Sequence, residues 1–159
     1  MIADPEQLLG ADALGDGLAR LWTAVEPRRA VGGWATVELD RAETEVAVAL
    51  AAIHDLHDPR VEDAADERLL GARCRLLRYT ADRDMLLLEP STEGRLAAAL
   101  VRHGEGSVAL YLLADAGAPE RARRAGFRLS SEGRGPFGRE RLVIAGPRWG
   151  PFLLLAGLD

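Results

Sequence analysis

Short apolar runs of strand length, punctuated by glycine, proline and acidic residues, organise this chain. The clearest is Val108-Ala109-Leu110-Tyr111-Leu112-Leu113, entered through Gly104-Glu105-Gly106 and closed by Asp115. An alternating stretch, Trp34-Ala35-Thr36-Val37-Glu38-Leu39, is entered through Gly32-Gly33 and followed by Asp40, a helix-capping residue. Thr44 to His57 then predicts an amphipathic helix with Val46, Leu50, Ile53 and Leu56 on one side, stopped by Pro59. Residues 58–68 carry Asp58, Glu62, Asp63, Asp66 and Glu67 and read as an exposed acidic loop. Arg73–Thr80 and Met85–Glu89 predict two strands joined by the hairpin-sized turn Ala81-Asp82-Arg83-Asp84.

Thr92 to Val101 reads as a short linker helix, after which the order recurs. A strand to Leu113 leads to Asp115, a helix through Arg124 stopped by Gly126, a strand at Phe127–Ser131, and a Gly/Pro loop to Gly138. Two last strands are predicted at Arg141–Ala145 and Phe152–Leu155. Trp34 precedes Asp40 by six positions and Ala109 precedes Asp115 by six, so the halves align internally. Such self-similarity argues for duplication. Neither half can bury both faces of its own small sheet, which predicts that the two pack or pair.

The expected organisation is an N-terminal helical extension (1–30), a first module (31–91), a linker helix and loop (92–106) and a second module (107–159). Within the extension, Leu14, Leu18, Leu21 and Trp22 fall at helical spacing. This stripe either packs on its own domain or makes a dimer contact.

Composition narrows the function classes. The chain is 48% hydrophobic and 28% charged, ordinary for a globular protein, and no apolar run approaches the length of a membrane span. Met1-Ile2-Ala3-Asp4-Pro5-Glu6 lacks the basic and apolar regions of a signal peptide, and the single Cys74 can form no internal disulfide. The expectation is therefore a cytoplasmic protein with no membrane partner. A net charge of −5, without a continuous basic patch, argues against nucleic acid.

The order Leu87-Leu88-Glu89-Pro90, linker helix, Gly104-Glu105-Gly106 and strand resembles the vicinal-oxygen-chelate superfamily, which includes glyoxalases, methylmalonyl-CoA epimerase, bleomycin-resistance proteins and extradiol dioxygenases. Gly126-Phe127, Gly135-Pro136-Phe137-Gly138 and Trp149-Gly150-Pro151 fit the same plan, so the resemblance covers about residues 32 to 157. It implies an α+β fold: two tandem βαβββ modules forming an eight-stranded curved cup, with the ligand inside and dimers common. Metal-using members hold a divalent cation through side chains on the first and last strand of each module. The matching positions here are Trp34 (or Gly33, one residue out of register), Leu86, Ser107-Val108-Ala109 and Leu154. None of these suits a hard cation. Glu89, three residues from Leu86, has opposite strand parity. No metal and no cofactor is therefore expected.

Strand parity gives the cup wall. With Trp34 and Ala109 inward, so are Thr36, Glu38, Tyr111, Leu113, Leu86, Leu88, Phe152 and Leu154, an apolar lining with a few polar groups. Glu38 is the candidate base and Tyr111 the candidate hydrogen-bond donor. His54 and His57 read as a solvated helix end, His103 as a loop histidine, Glu105 as a turn carboxylate held by backbone amides, and Gly133–Gly138 as a flap over the cup. Ser107 has no histidine beside it to make it a nucleophile. The expected function is binding of an apolar or aromatic organic molecule by a homodimer, for sequestration or metal-independent isomerisation. The alternatives are a metal-dependent lyase, epimerase or dioxygenase, and a non-catalytic dimeric interaction module.

Overall fold

The structure is a computed structural model that describes residues 16–54, 59–80, 83–145 and 152–159. In chain order the elements are α1 (Asp16–Val25), β1 (Arg29–Ala35), α2 (Leu39–His54), β2 (Arg60–Glu67), β3 (Ala72–Thr80), β4 (Arg83–Pro90), α3 (Arg95–His103), β5 (Gly106–Leu113), α4 (Ala118–Arg124), β6 (Arg128–Leu129), β7 (Gly133–Gly135), β8 (Gly138–Ala145) and β9 (Phe152–Ala156). They form the α+β arrangement that the resemblance implies, with nine strands among the described residues in place of the expected eight. The sheet runs β2-β3-β4-β1-β5-β9-β8-β6, with β7 pairing β8 off this path.

In each module the first strand pairs parallel with the last: β1 with β4, and β5 with β9. The modules join where β1 and β5 run antiparallel, with Gly33 opposite Ala109. Helices α1, α2 and α4 cover the outer face, and Leu96 of α3 packs with the inner one. Leu39, Ala42 and Val46 of α2 pack on Leu77 and Leu87. Leu18, Leu21 and Val25 of α1 pack with Ala118 and Ala122 of α4 on Leu110, Leu112, Leu153 and Leu155. The described part of the N-terminal stripe thus lies against its own domain, and Leu14 falls outside the described residues. No described helix is long and apolar enough to cross a membrane.

Several boundaries differ from the sequence expectation. β1 starts at Arg29, five residues before Trp34, so Gly32-Gly33 lies inside the strand. α2 starts at Leu39 because the Leu39 N–H donates to Glu89 Oε2 (3.1 Å), a cap supplied from β4. The acidic segment read as a loop contains strand β2. Its charges are compatible with an edge position, where Glu62 meets Arg78 across the ladder at 2.7 Å. The expected Gly/Pro flap contains β7, whose Gly133, Arg134 and Gly135 pair with Glu140, Arg139 and Gly138. The Ala81-Asp82 pair and Trp149-Gly150-Pro151 lie outside the described residues.

Candidate functional site

The inner face is built by parity from four central strands. Val31 and Ala35 of β1, Leu86 and Leu88 of β4, Ala109 and Tyr111 of β5, and Leu154 and Ala156 of β9 form one buried cluster with Leu70, Ala72, Cys74, Leu76, Leu96 and Leu142. Leu113, Phe137, Phe152, Val108, Leu69 and Leu100 pack against it and are partly exposed. The expected wall residues Leu86, Leu88, Ala109, Tyr111, Leu113, Phe152 and Leu154 are therefore brought together.

Trp34, Thr36 and Glu38 are not on this wall. The β1–β5 register shifts between Gly33 and Trp34, and Gly33 is the residue that faces inward. Trp34 packs instead with the α2-covered cluster, beside Tyr79 and Met85. Thr36 and Glu38 lie beyond the end of β1. The Thr36 hydroxyl donates to Glu105 Oε1 at 2.8 Å, and the Glu38 side chain is 65% exposed, 3.9 Å from Arg41. The strand ends three residues before Glu38, so alternation no longer governs where that side chain points.

At the centre, a Cβ added to Gly33 would lie 2.9 Å from the Ala109 Cβ, 3.0 Å from Leu88 Cδ1 and 3.3 Å from the Tyr111 ring. Gly33 and Ala109, with Leu86 and Leu154, are among the positions where the resemblance puts a divalent cation. The side chains of Gly33, Leu86, Ala109 and Leu154 offer no oxygen or nitrogen ligand, and the atoms nearest a Cβ on Gly33 are all carbon. Among the described residues no three His, Cys, Asp or Glu side chains gather as a metal-binding group.

The polar chemistry of the inner face lies elsewhere, on residues the sequence reading left on the surface. Glu67 and Glu140 are both fully buried. Glu67 closes β2, and its Oε1 accepts from the Leu69 and Leu70 N–H groups (2.9 and 3.4 Å) while its Oε2 accepts from the Tyr111 hydroxyl (2.9 Å). Glu140 lies beside Glu67, and burial followed by this neighbour pushes its pKa up to about 10. At neutral pH Glu140 is thus protonated. Burial and the same two carboxyls also raise the Tyr111 pKa well above that of a free tyrosine. Phe137 meets the Tyr111 ring edge-on at 5.4 Å. Gly135 lies over Glu140, where a Cβ would come 2.3 Å from one carboxyl oxygen.

Both acids carried a signal that the sequence reading passed over. Glu140 shares parity with the inward Leu142, but a strand begun at Arg141 leaves it as one charge among arginines. Glu67 was assigned to a loop, where alternation says nothing about direction.

At the rim, Glu105 behaves as expected of a turn carboxylate. Its Oε1 accepts from the Val37 N–H at 2.9 Å, from Thr36 and from Arg41, and these bonds hold its pKa below the usual range. His103 is exposed, as is Ser107. His54 ends α2, and its side chain, like the whole of Leu56 and His57, lies outside the described residues.

No protein-family model matches the chain, and no curated protein matches it. Among solved structures it is similar to methylmalonyl-CoA epimerase from Mycobacterium tuberculosis, with 22% identity, a TM-score of 0.63, and coverage of 81% of this chain and 86% of that one. It is also similar to a hypothetical protein from Bacillus halodurans C-125, with 15% identity, a TM-score of 0.61, and coverage of 79% and 90%. At these identities what is shared is the fold, a glyoxalase-like one.

Proposed function

We propose that this chain is a metal-independent small-molecule-binding protein of the glyoxalase-like fold, taking a largely apolar organic ligand on the inner face of its sheet. The observation that carries the reading is the close approach of Gly33, Leu88 and Ala109, which puts packed carbon where the resemblance implies a cation. The residues present do not fit a divalent metal, which needs several oxygen or nitrogen donors around one point. The apolar lining and its partly exposed members Leu113, Phe137 and Phe152 supply the surface for an organic ligand.

The test has two parts. Protein purified without chelator is analysed for metal and titrated with Ni²⁺, Zn²⁺, Mn²⁺ and Fe²⁺ by thermal shift. The expected result is no stoichiometric metal and no stabilisation at micromolar concentration; either one would overturn the reading. A screen of apolar organic compounds by thermal shift and native mass spectrometry follows. Any hit should lose at least tenfold in affinity in Phe152→Ala. Trp34 fluorescence is a poor reporter of such binding, because that ring faces α2.

A further inference from the structure

The buried Glu67–Glu140 pair gives the inner face a charge preference. Glu67, Glu140 and the adjacent Asp66 are the carboxyls that act on Tyr111 and Cys74 here: Glu67 and Glu140 on Tyr111, and all three on Cys74. The arginines on β8 are turned to other partners: Arg139 reaches Asp159 at 3.0 Å and the Leu158 carbonyl, and Arg141 reaches the Ser130 carbonyl at 3.0 Å. Arg134 on β7 and Arg68 beyond β2 are exposed.

Glu67 has the Leu69, Leu70 and Tyr111 donors. Glu140 has none of these, and neither of its oxygens accepts a hydrogen bond from any N–H or hydroxyl group among the described residues. A buried acceptor without a donor is costly, and natural proteins keep few of them. The group that relieves this best is an ammonium, which brings several N–H donors and a positive charge together.

We propose that the Glu67–Glu140 pair recognises an organic cation: a protonated amine on an apolar body, its ammonium seated at the pair and its body on the inner face. This rests on the small-molecule reading above and adds the ligand's charge class. Binding replaces the Glu140 proton. The Glu140 O–H bond ionises, the proton leaves to solvent, and the ammonium then lies between two carboxylates. No bond to the ligand is made or broken. Leu69 and Phe137 are the partly exposed side chains beside Glu67 and Tyr111.

The test uses matched probes: 2-phenylethylamine and cyclohexylmethylamine against 2-phenylethanol and cyclohexylmethanol, with 3-phenylpropionate as the anion, each titrated calorimetrically at pH 6, 7 and 8. Amines are expected to bind at least tenfold tighter than the alcohols. Releasing one proton per amine bound should raise their affinity about tenfold per pH unit. Glu140→Gln should abolish that pH dependence, with its fold checked by circular dichroism. Calorimetry of the wild-type protein in two buffers of different ionisation enthalpy reads the released proton directly, so the test stands even if the variant fails to fold. Equal binding of alcohols and amines overturns the cation assignment and leaves the apolar reading intact. Binding by no probe overturns both. Stabilisation by Na⁺ or Ca²⁺ with the amines silent overturns the organic-cation assignment in favour of an inorganic ion.

Discussion

Gly33 and Ala109 stand opposite each other across the β1–β5 seam, so close that a Cβ on Gly33 would lie 2.9 Å from that of Ala109. The seam joins the two modules, and each contributes its smallest side chain at the crossing point. Leu88 and Tyr111 then close over the gap, with 3.0 and 3.3 Å left to that same Cβ. A glycine is required here by space, since its backbone conformation is an ordinary strand one.

Gly33→Ala should therefore overpack the seam and destabilise the fold by about 1–3 kcal/mol. Ala109→Gly in the same chain removes the nearest clashing atom, so the double variant should recover part of the loss. Urea titration of the two single variants and the double variant gives the coupling. Strict additivity would mean that the two residues do not share the space.

Glu140 ties stability to pH. Its folded pKa is raised, to about 10, so the folded protein keeps a proton that the unfolded chain releases near the ordinary carboxylate range. The resulting contribution is full below the unfolded pKa and is lost as pH rises through the folded value, at up to about 1.4 kcal/mol per pH unit. Glu140→Gln keeps the shape and has no proton to lose. Its urea midpoint should vary less between pH 5 and 9 than that of the wild type, and should exceed it at pH 9. Parallel profiles for the two proteins would contradict the raised pKa.

Tyr111→Phe removes the hydroxyl that donates to Glu67 Oε2 at 2.9 Å while keeping the ring against Phe137. A hydrogen bond to a charged acceptor contributes about 1.5–3 kcal/mol, and the loss should fall in that range. In a Glu67→Gln background the same change should cost less, because the acceptor is then neutral. A thermal or urea double-mutant cycle measures the difference.

The duplication, the order of elements and most of the inner wall were legible in the sequence, because alternation within a continuous strand is a local property. Leu86, Leu88, Ala109, Tyr111 and Leu154 all face where parity puts them. Trp34, Thr36 and Glu38 do not: Val31, Gly33 and Ala35 are the inward residues of β1, so parity counted from Trp34 is one residue out, and Thr36 and Glu38 lie beyond the end of the strand. The acidic strand β2 was illegible for a non-local reason, since its charges are accommodated by arginines on β3. The carboxyl pair joins the end of β2 to β8, and no window of sequence contains both.

Arg121 offers a test of how the outer face is secured, independent of the inner one. Its Nε donates to the Ala24 carbonyl (3.0 Å) and its Nη2 to the Val25 carbonyl (2.8 Å), satisfying acceptors left free at the end of α1. Asp115 holds the guanidinium in place from the other side at 2.8 Å, and is itself held at about 2, well below the usual carboxylate range, by that arginine and the Gly117 N–H. Arg121→Ala should leave α1 attached by Leu18, Leu21 and Val25 but frayed at its C-terminal end. Hydrogen exchange there is expected to quicken at least tenfold, with the inner strands unaffected. Asp115 stabilises the fold only when ionised, so its contribution is present above the unfolded carboxylate pKa and lost as pH falls towards 2. Wild type and Arg121→Ala should therefore converge in α1 protection as the solution is acidified. A constant gap between them down to pH 2 would show that Arg121 secures the helix through the two carbonyls alone.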